Sequence, residues 1–248
     1  AYLDEAVKLG LLDKPDPIVL QLYVEPLQRF RLAARGHGLI QPPEHLRARV
    51  EKHFDPLPFW YMPFEEEAVD REHFPMHAVT QRPMAMYHAW HTQNAWLRQI
   101  HGENRLFVNR ATAARLDIAD DDWIWIVSHH GRVKAQARLM EGCNPDTAWT
   151  WNAIGKRSGA WDLAPDARET THGFLLNHAI SEFLPGPARA PNADPITGQA
   201  AWYDLRIRLE KCAPEEAGET SPRPPTVARP PGIERAPRIL RYDASKPR

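Results

Sequence analysis

The chain has 248 residues, with 31 lysines and arginines against 32 aspartates and glutamates. That near-balance excludes a generic nucleic-acid binder, which needs a basic face to neutralise phosphates, and an acidic disordered chain. Two cysteines outside any C-x-x-C, and no apolar run approaching the ~18 residues of a bilayer span, exclude a disulfide framework, a thiolate-held cluster built from this chain alone and a membrane helix.

Residues 1–72 read as a run-in of helices and extended arms. Leu3, Val7 and Leu11 lie four apart, as on one helix face, until Pro15 and Pro17 end the run. Ile18 to Leu22 is a strand candidate. Pro43 opens a helix striped by Leu46, Val50 and Phe54. Pro56 to Phe64 repeats proline too often for a regular element and reads as an aromatic arm lying on another surface. Glu65-Glu66-Glu67 reads as a solvated acidic run.

Residues 73–212 have a different texture. Met76 to Thr80 predicts a strand. Asn94 to Gly102 predicts a helix with Trp96, Leu97 and Ile100 on one side. Arg105 to Val108 predicts a strand and Ala111 to Leu116 a short helix. Trp123 to Val127 predicts a strand with the isoleucines on one face and the tryptophans on the other. His129-His130-Gly131 is its turn, read as a solvated histidine pair. Val133, Ala135, Ala137 and Leu139 alternate with polar residues, as in a half-buried strand. Thr147 to Trp151 and Leu205 to Leu209 complete the set. Many short strands with short helices between them point to a mainly β fold, a closed barrel without exposed edges. Residues 213–248 form a tail rich in proline and arginine, with too little apolar area to order itself.

One polar cluster stands out: Thr80-Gln81-Arg82, then His88, His91, Thr92 and Gln93. It falls between a strand end and a helix start, where free N–H groups favour an anion, and Arg82 can grip a phosphate with two donors. A surface loop with buried aromatics remains the bland reading. A metal held by His88 and His91 lacks a third ligand at clear spacing. Asp120-Asp121-Asp122 reads as a solvated turn rather than a cation site, and Cys143 as a bystander.

The order of motifs carries a resemblance. Asn104 to Asn109, Ala113-Ala114-Arg115-Leu116-Asp117-Ile118, Asp122 to Ser128 and Gly131-Arg132-Val133 resemble the C-terminal dinucleotide-binding domain of the molybdopterin oxidoreductases, the dimethyl-sulfoxide-reductase family. Thr80-x-Arg82 and His88 to Gln93 resemble its cofactor loop, and Asn177 resembles its pterin-reaching asparagine. The resemblance covers roughly residues 74–211. Asp117 and Asp121 stand where the family has glycine, at positions that favour positive φ.

The resemblance implies a six-stranded double-psi β barrel that binds bis-molybdopterin guanine dinucleotide through Thr80, Gln81, Arg82, His88, His91, Thr92, Gln93 and Asn177. It implies a C-terminal part of a larger molybdenum-dependent catalytic subunit, inactive alone, and the start at Ala1 without a methionine fits that expectation. The run-in and Asn152 to Trp161 are similar to the sulfite-dehydrogenase and thiosulfate/polysulfide-reductase branch, so the implied substrate is a sulfur oxyanion or polysulfide. A 4Fe-4S cluster would lie in the rest of that subunit. The implied partners are a membrane anchor and an iron–sulfur electron-transfer subunit, without nucleic acid or direct membrane insertion. The implied location is cytoplasmic, at the inner-membrane face. The alternatives are a free-standing double-psi barrel without molybdenum and a pure interaction subunit.

Overall fold

Six short strands, spaced along 136 positions between Met76 and Lys211, meet edge to edge in the computed structural model. They are β1 Met76–Gln81, β2 Leu106–Asn109, β3 Trp123–Val127, β4 Arg132–Met140, β5 Thr147–Trp151 and β6 Leu205–Lys211. Their order, β1-β5-β2-β4-β3-β6, closes into a barrel, so the expected six-stranded closed barrel is what the chain forms. The pairings β1–β5 and β2–β4 are parallel and the other four antiparallel. The structure describes residues 2–11, 13, 23–88, 90, 94–155, 164, 166–187 and 190–220. The strand expected at Ile18 to Leu22 lies outside them.

Alternation explains which side chains fill the barrel. Ile124 and Ile126 are fully buried while Trp123 and Trp125 stay half-buried on the outer face. Ala78, Ala135, Ala137 and Ala148 have no exposure, and these small side chains let Leu106, Val108, Leu205 and Ile207 fill so narrow a core. Asn109 caps α6 (Arg110–Arg115) by accepting from the Ala111 and Thr112 N–H groups, and donates to the Cys143 carbonyl at 2.7 Å. Asp117 and Asp121 take φ of 54° and 67°, the left-handed turns expected of them. The acidic turn is occupied by its own partners: Asp120 with Arg138 and the Leu139 N–H, Asp121 with Arg105, Asp122 with Lys211 and the Ala119 N–H.

The run-in holds α1 (Tyr2–Lys8), α2 (Glu25–Ala34), α3 (Glu44–His53) and α4 (Phe64–Ala68). Helix α2 was not expected; its start, with Pro26 in the first turn, lacks a side-chain cap that a reading of the sequence would catch. Pro63 precedes α4, and there the structure corrects an expectation. Glu65 is not solvated but has 0% exposure. Its carboxylate accepts from the Arg206 backbone N–H at 2.7 Å and from the Asn192 amide at 3.2 Å. Glu66 pairs with the Arg206 guanidinium at 2.8 Å, which also donates to the Phe74 carbonyl at 3.0 Å. His129 is not half of a solvated pair either, since its ring lies 3.7 Å from Glu65. A short acidic helix is thus drawn into the barrel wall because Arg206 of β6 presents both its guanidinium and its backbone N–H to it.

Beyond β6 the composition predicts a tail. Its first residues nonetheless pack on the barrel. Glu216 accepts from the Trp125 indole at 2.9 Å, and Thr220 donates to the Thr171 carbonyl through its backbone N–H (2.7 Å) and its hydroxyl (3.0 Å). These are polar contacts, which hydropathy does not register.

Candidate functional site

Strand directions gather the site. Strands β1 and β5 run parallel, with Gln81 opposite Trp151, so both end at one mouth of the barrel. Strand β2 is antiparallel to β5 and therefore begins there, as do β4 and β6, while β3 ends there. This one mouth thus carries Thr80–Arg82, Asn152, the Ser128–Gly131 turn and the start of β2.

Beyond β1 the chain makes a tight excursion. Arg82 lies with its guanidinium 5.1 Å from the Tyr87 ring centre and 3.2 Å from the His88 ring nitrogen. The loop closes through Met86 N–H to Pro83 carbonyl (3.2 Å) and Trp90 N–H to Tyr87 carbonyl (2.8 Å). His88 sits in the left-handed region at φ 50°, a conformation that an L-residue holds only when its surroundings fix it. The excursion then enters α5 (Ala95–Ile100), where Asn94 accepts from the Trp96 and Leu97 N–H groups.

Asn177 approaches from another direction. It lies exposed in a 3-10 turn, Leu176–Ala179, packed over the β3–β4 end, where the Ser128 hydroxyl donates to the Ala179 carbonyl at 2.5 Å. The approach to that turn is pinned by Asn104, whose buried amide donates to the Trp151 carbonyl at 2.9 Å and the Phe174 carbonyl at 3.1 Å. Gly155 and Gly173 cross so closely that a Cβ on Gly173 would lie 2.7 Å from the Gly155 Cα.

Of the eight residues expected in the site, Arg82 and His88 meet directly. Thr80 and Gln81 sit beside them on β1. Asn177 shares the mouth but stands over β3 and β4, two to three strand positions round the ring. His91, Thr92 and Gln93 lie outside the described residues. Among the described residues no group of three or more histidines, cysteines and acids can hold a metal ion. Both cysteines are buried and free, and burial raises the Cys143 thiol and lifts that of Cys212 to about 11, so neither is a ready nucleophile.

One residue escaped the sequence reading. Asn152 donates its backbone N–H to the Gln81 carbonyl at 2.8 Å, yet its buried side-chain oxygen has no hydrogen-bond partner among the described residues. An orphaned acceptor at a mouth lined by an arginine, a histidine and amides fits a ligand that brings its own N–H donors, as a guanine or pterin edge does. The charge fits too. From Pro75 to Gly102 the sequence contains no aspartate or glutamate, so an anionic diphosphate meets no repulsion there. Donors spread round a ring suit an extended molecule rather than a single ion.

Such a mouth suits a dinucleotide. Residues 76–181 match the family described as Molydopterin dinucleotide binding domain, and the barrel belongs to that family. The chain is 52% identical over 226 residues to a sulfite dehydrogenase subunit of Allochromatium vinosum, covering 90% of this chain and 23% of that protein. It is 26% identical over 183 residues to the dopamine dehydroxylase of Eggerthella lenta, covering 71% and 17%. It is 32% identical over 89 residues to the thiosulfate reductase molybdopterin-containing subunit of Salmonella typhimurium, covering 34% and 11%. The chain therefore spans less than a quarter of the length of these relatives. Among solved structures, acetylene hydratase from Pelobacter acetylenicus overlays with a TM-score of 0.49 at 18% identity, over 65% of this chain and 22% of that one.

Proposed function

We propose that the barrel mouth binds molybdopterin guanine dinucleotide within a larger molybdenum-dependent catalytic subunit that acts on a sulfur oxyanion or polysulfide. The observation that carries the binding role is the carboxylate-free excursion, where Arg82 and His88 meet next to Gln81, whose carbonyl the Asn152 backbone N–H reaches. Arg82 supplies a fixed cation for a phosphate, because Tyr87 and His88 hold its guanidinium in place. Gln81 and Asn152 offer amides to a ring edge, and Asn177 offers another from across the mouth. His91, Thr92 and Gln93 belong to the same proposed loop. The bound group supplies the redox chemistry at molybdenum, and the protein orients it and excludes water.

The sulfur substrate is proposed from the sulfite dehydrogenase and thiosulfate reductase relatives. The same reading assigns a 4Fe-4S cluster to the rest of the subunit. It adds a cytoplasmic position at the inner membrane, beside a membrane anchor and an iron–sulfur electron-transfer subunit. No helix among the described residues is long and apolar enough to cross a membrane. The division at 72/73 and 212/213 stands as the proposed domain plan.

The test is Arg82→Ala in the full-length gene product. Molybdenum by mass spectrometry and pterin by fluorescence of its oxidised form should both fall well below wild type after gel filtration. Unchanged content of both would remove Arg82 from the binding site.

A further inference from the structure

We infer that Thr220, which lies in the segment that composition reads as a tail, is a positioning residue for the dinucleotide site: it fixes the corner from which Asn177 reaches the mouth. This rests on the binding role proposed above and adds the part of the chain that holds one of its amides in place.

The corner lies at the end of α7 (Arg168–His172). The last carbonyls of a helix have no intrahelical N–H to accept from, and a five-residue helix leaves nearly all of its carbonyls open. Three consecutive carbonyls are met here from outside. That of His172 accepts from the Asn104 backbone N–H at 3.1 Å, and that of Thr171 from the Thr220 backbone N–H at 2.7 Å. The Thr220 hydroxyl lies 2.5 Å from the Gly173 carbonyl and 3.0 Å from the Thr171 carbonyl, so one proton is shared between the two as a three-centre bond. Thr220 is only 4% exposed, which keeps water from replacing it.

Thr220 can hold the corner because the chain leading to it is itself anchored. Glu216 accepts from the Trp125 indole at 2.9 Å, and its backbone carbonyl accepts from the Lys134 ammonium. The Arg132 guanidinium lies 3.9 Å from the Trp125 ring centre and 3.6 Å from the Glu216 carboxylate. The segment after β6 is therefore a strap from the outer face of β3 and β4 to the end of α7.

What the corner carries is Asn177. Gly173 crosses Gly155 without room for a Cβ, and the next residue, Phe174, donates its N–H to the Ile154 carbonyl at 3.1 Å. Phe174, Leu176 and Ala179 are buried, while Asn177 among them is exposed. A segment packed this closely has no slack, so a shift of the Gly173 carbonyl passes to the Asn177 amide. Thr220 thus acts through Asn177 and not on the ligand itself.

Thr220→Val in the full-length gene product tests the assignment, because it keeps the shape and the backbone N–H and loses only the hydroxyl. Pterin retained per polypeptide, read by fluorescence of its oxidised form, is followed over a timed incubation. Its loss should be roughly three- to tenfold faster than in wild type, the range that one hydrogen bond spans. Thr220→Ser, which keeps the hydroxyl, should restore the wild-type rate. Asn177→Ala should also speed the loss, and Thr220→Val added to it should change nothing further, because both act through one amide. A residue that merely stabilised the barrel would add its effect in full. Should Thr220→Val not fold, the same cycle is run with Thr220→Ala. Additive losses, a wild-type rate without the hydroxyl, or no rescue by Thr220→Ser would overturn the positioning role and leave the binding role standing. A wild-type rate in Asn177→Ala would remove Asn177 from the site, and the role of Thr220 with it. A wild-type product without pterin would overturn the binding role and all that is built on it.

Discussion

The barrel has two unlike borders. At the seam with α4, polar and charged groups are enclosed and largely paired: Glu65, Glu66, Asp204, Asn192 and Arg206 are tied together with little water, although one Asp204 oxygen and the Asn192 oxygen have no hydrogen-bond partner among the described residues. At the excursion beyond β1 the balance is inverted, with large apolar side chains in solvent and no acid among them. Burying charge is costly unless partners are present, and this chain supplies the main ones itself through Arg206. Exposing tryptophan is costly unless something covers it, and the excursion leaves two of them open to water. The difference separates a border that the chain closes for itself from one that it leaves open.

The seam is the place to break first. Arg206→Met removes the guanidinium from Glu66, His77 and the Phe74 carbonyl and leaves Glu66 only the more exposed Arg71, which should cost about 3 kcal/mol in urea denaturation. A loss under about 1 kcal/mol would mean that the seam is not enclosed in solution. Asn104→Ala should come next, at roughly 2 kcal/mol, because it strands the Trp151 and Phe174 carbonyls, while Thr150 keeps the Arg105 carbonyl. It should also loosen the turn that carries Asn177, seen as faster amide exchange at residues 174–179.

The seam also has a pH signature. Burial, followed by the nearby Arg206, lowers the pKa of His77, so the ring is neutral in the fold and accepts from the Arg206 guanidinium at 2.7 Å. The unfolded chain takes up that proton near the ordinary value of 6.5. Below it the unfolded state therefore binds more protons than the folded one, and stability falls as the pH drops. His77→Gln should flatten part of the acid limb of a stability–pH curve. An unchanged slope would assign the limb to His53, His101 and His172, which burial lowers in the same direction.

How much of this was legible depends on the kind of signal. Alternation over Val133 to Leu139 and the Ile124/Ile126 pair marked β4 and β3, because a barrel wall has one wet and one dry face. Asp117 and Asp121 announced their turns through the conformations that aspartate tolerates. Glu65 misled, because three consecutive acids look the same in sequence whether water or an arginine 141 positions downstream receives them. Arg82 and His88 are legible as members of one polar cluster, since the loop that joins them is local, but their direct contact is not. Asn152 was not, because its role comes from strand pairing with Gln81, a contact made across 71 residues.

The excursion supplies the smallest expected effect, and the most informative one. Trp96→Ser together with Ile100→Ser removes two large apolar side chains, a change that in a core would cost several kcal/mol. Here both side chains already lie mostly in water, so their removal from the 248-residue chain should change stability by no more than about 0.5 kcal/mol. If stability of the 248-residue chain fell by roughly 2 kcal/mol or more, α5 would already be packed within this chain, and the excursion would be a second finished seam rather than an open one.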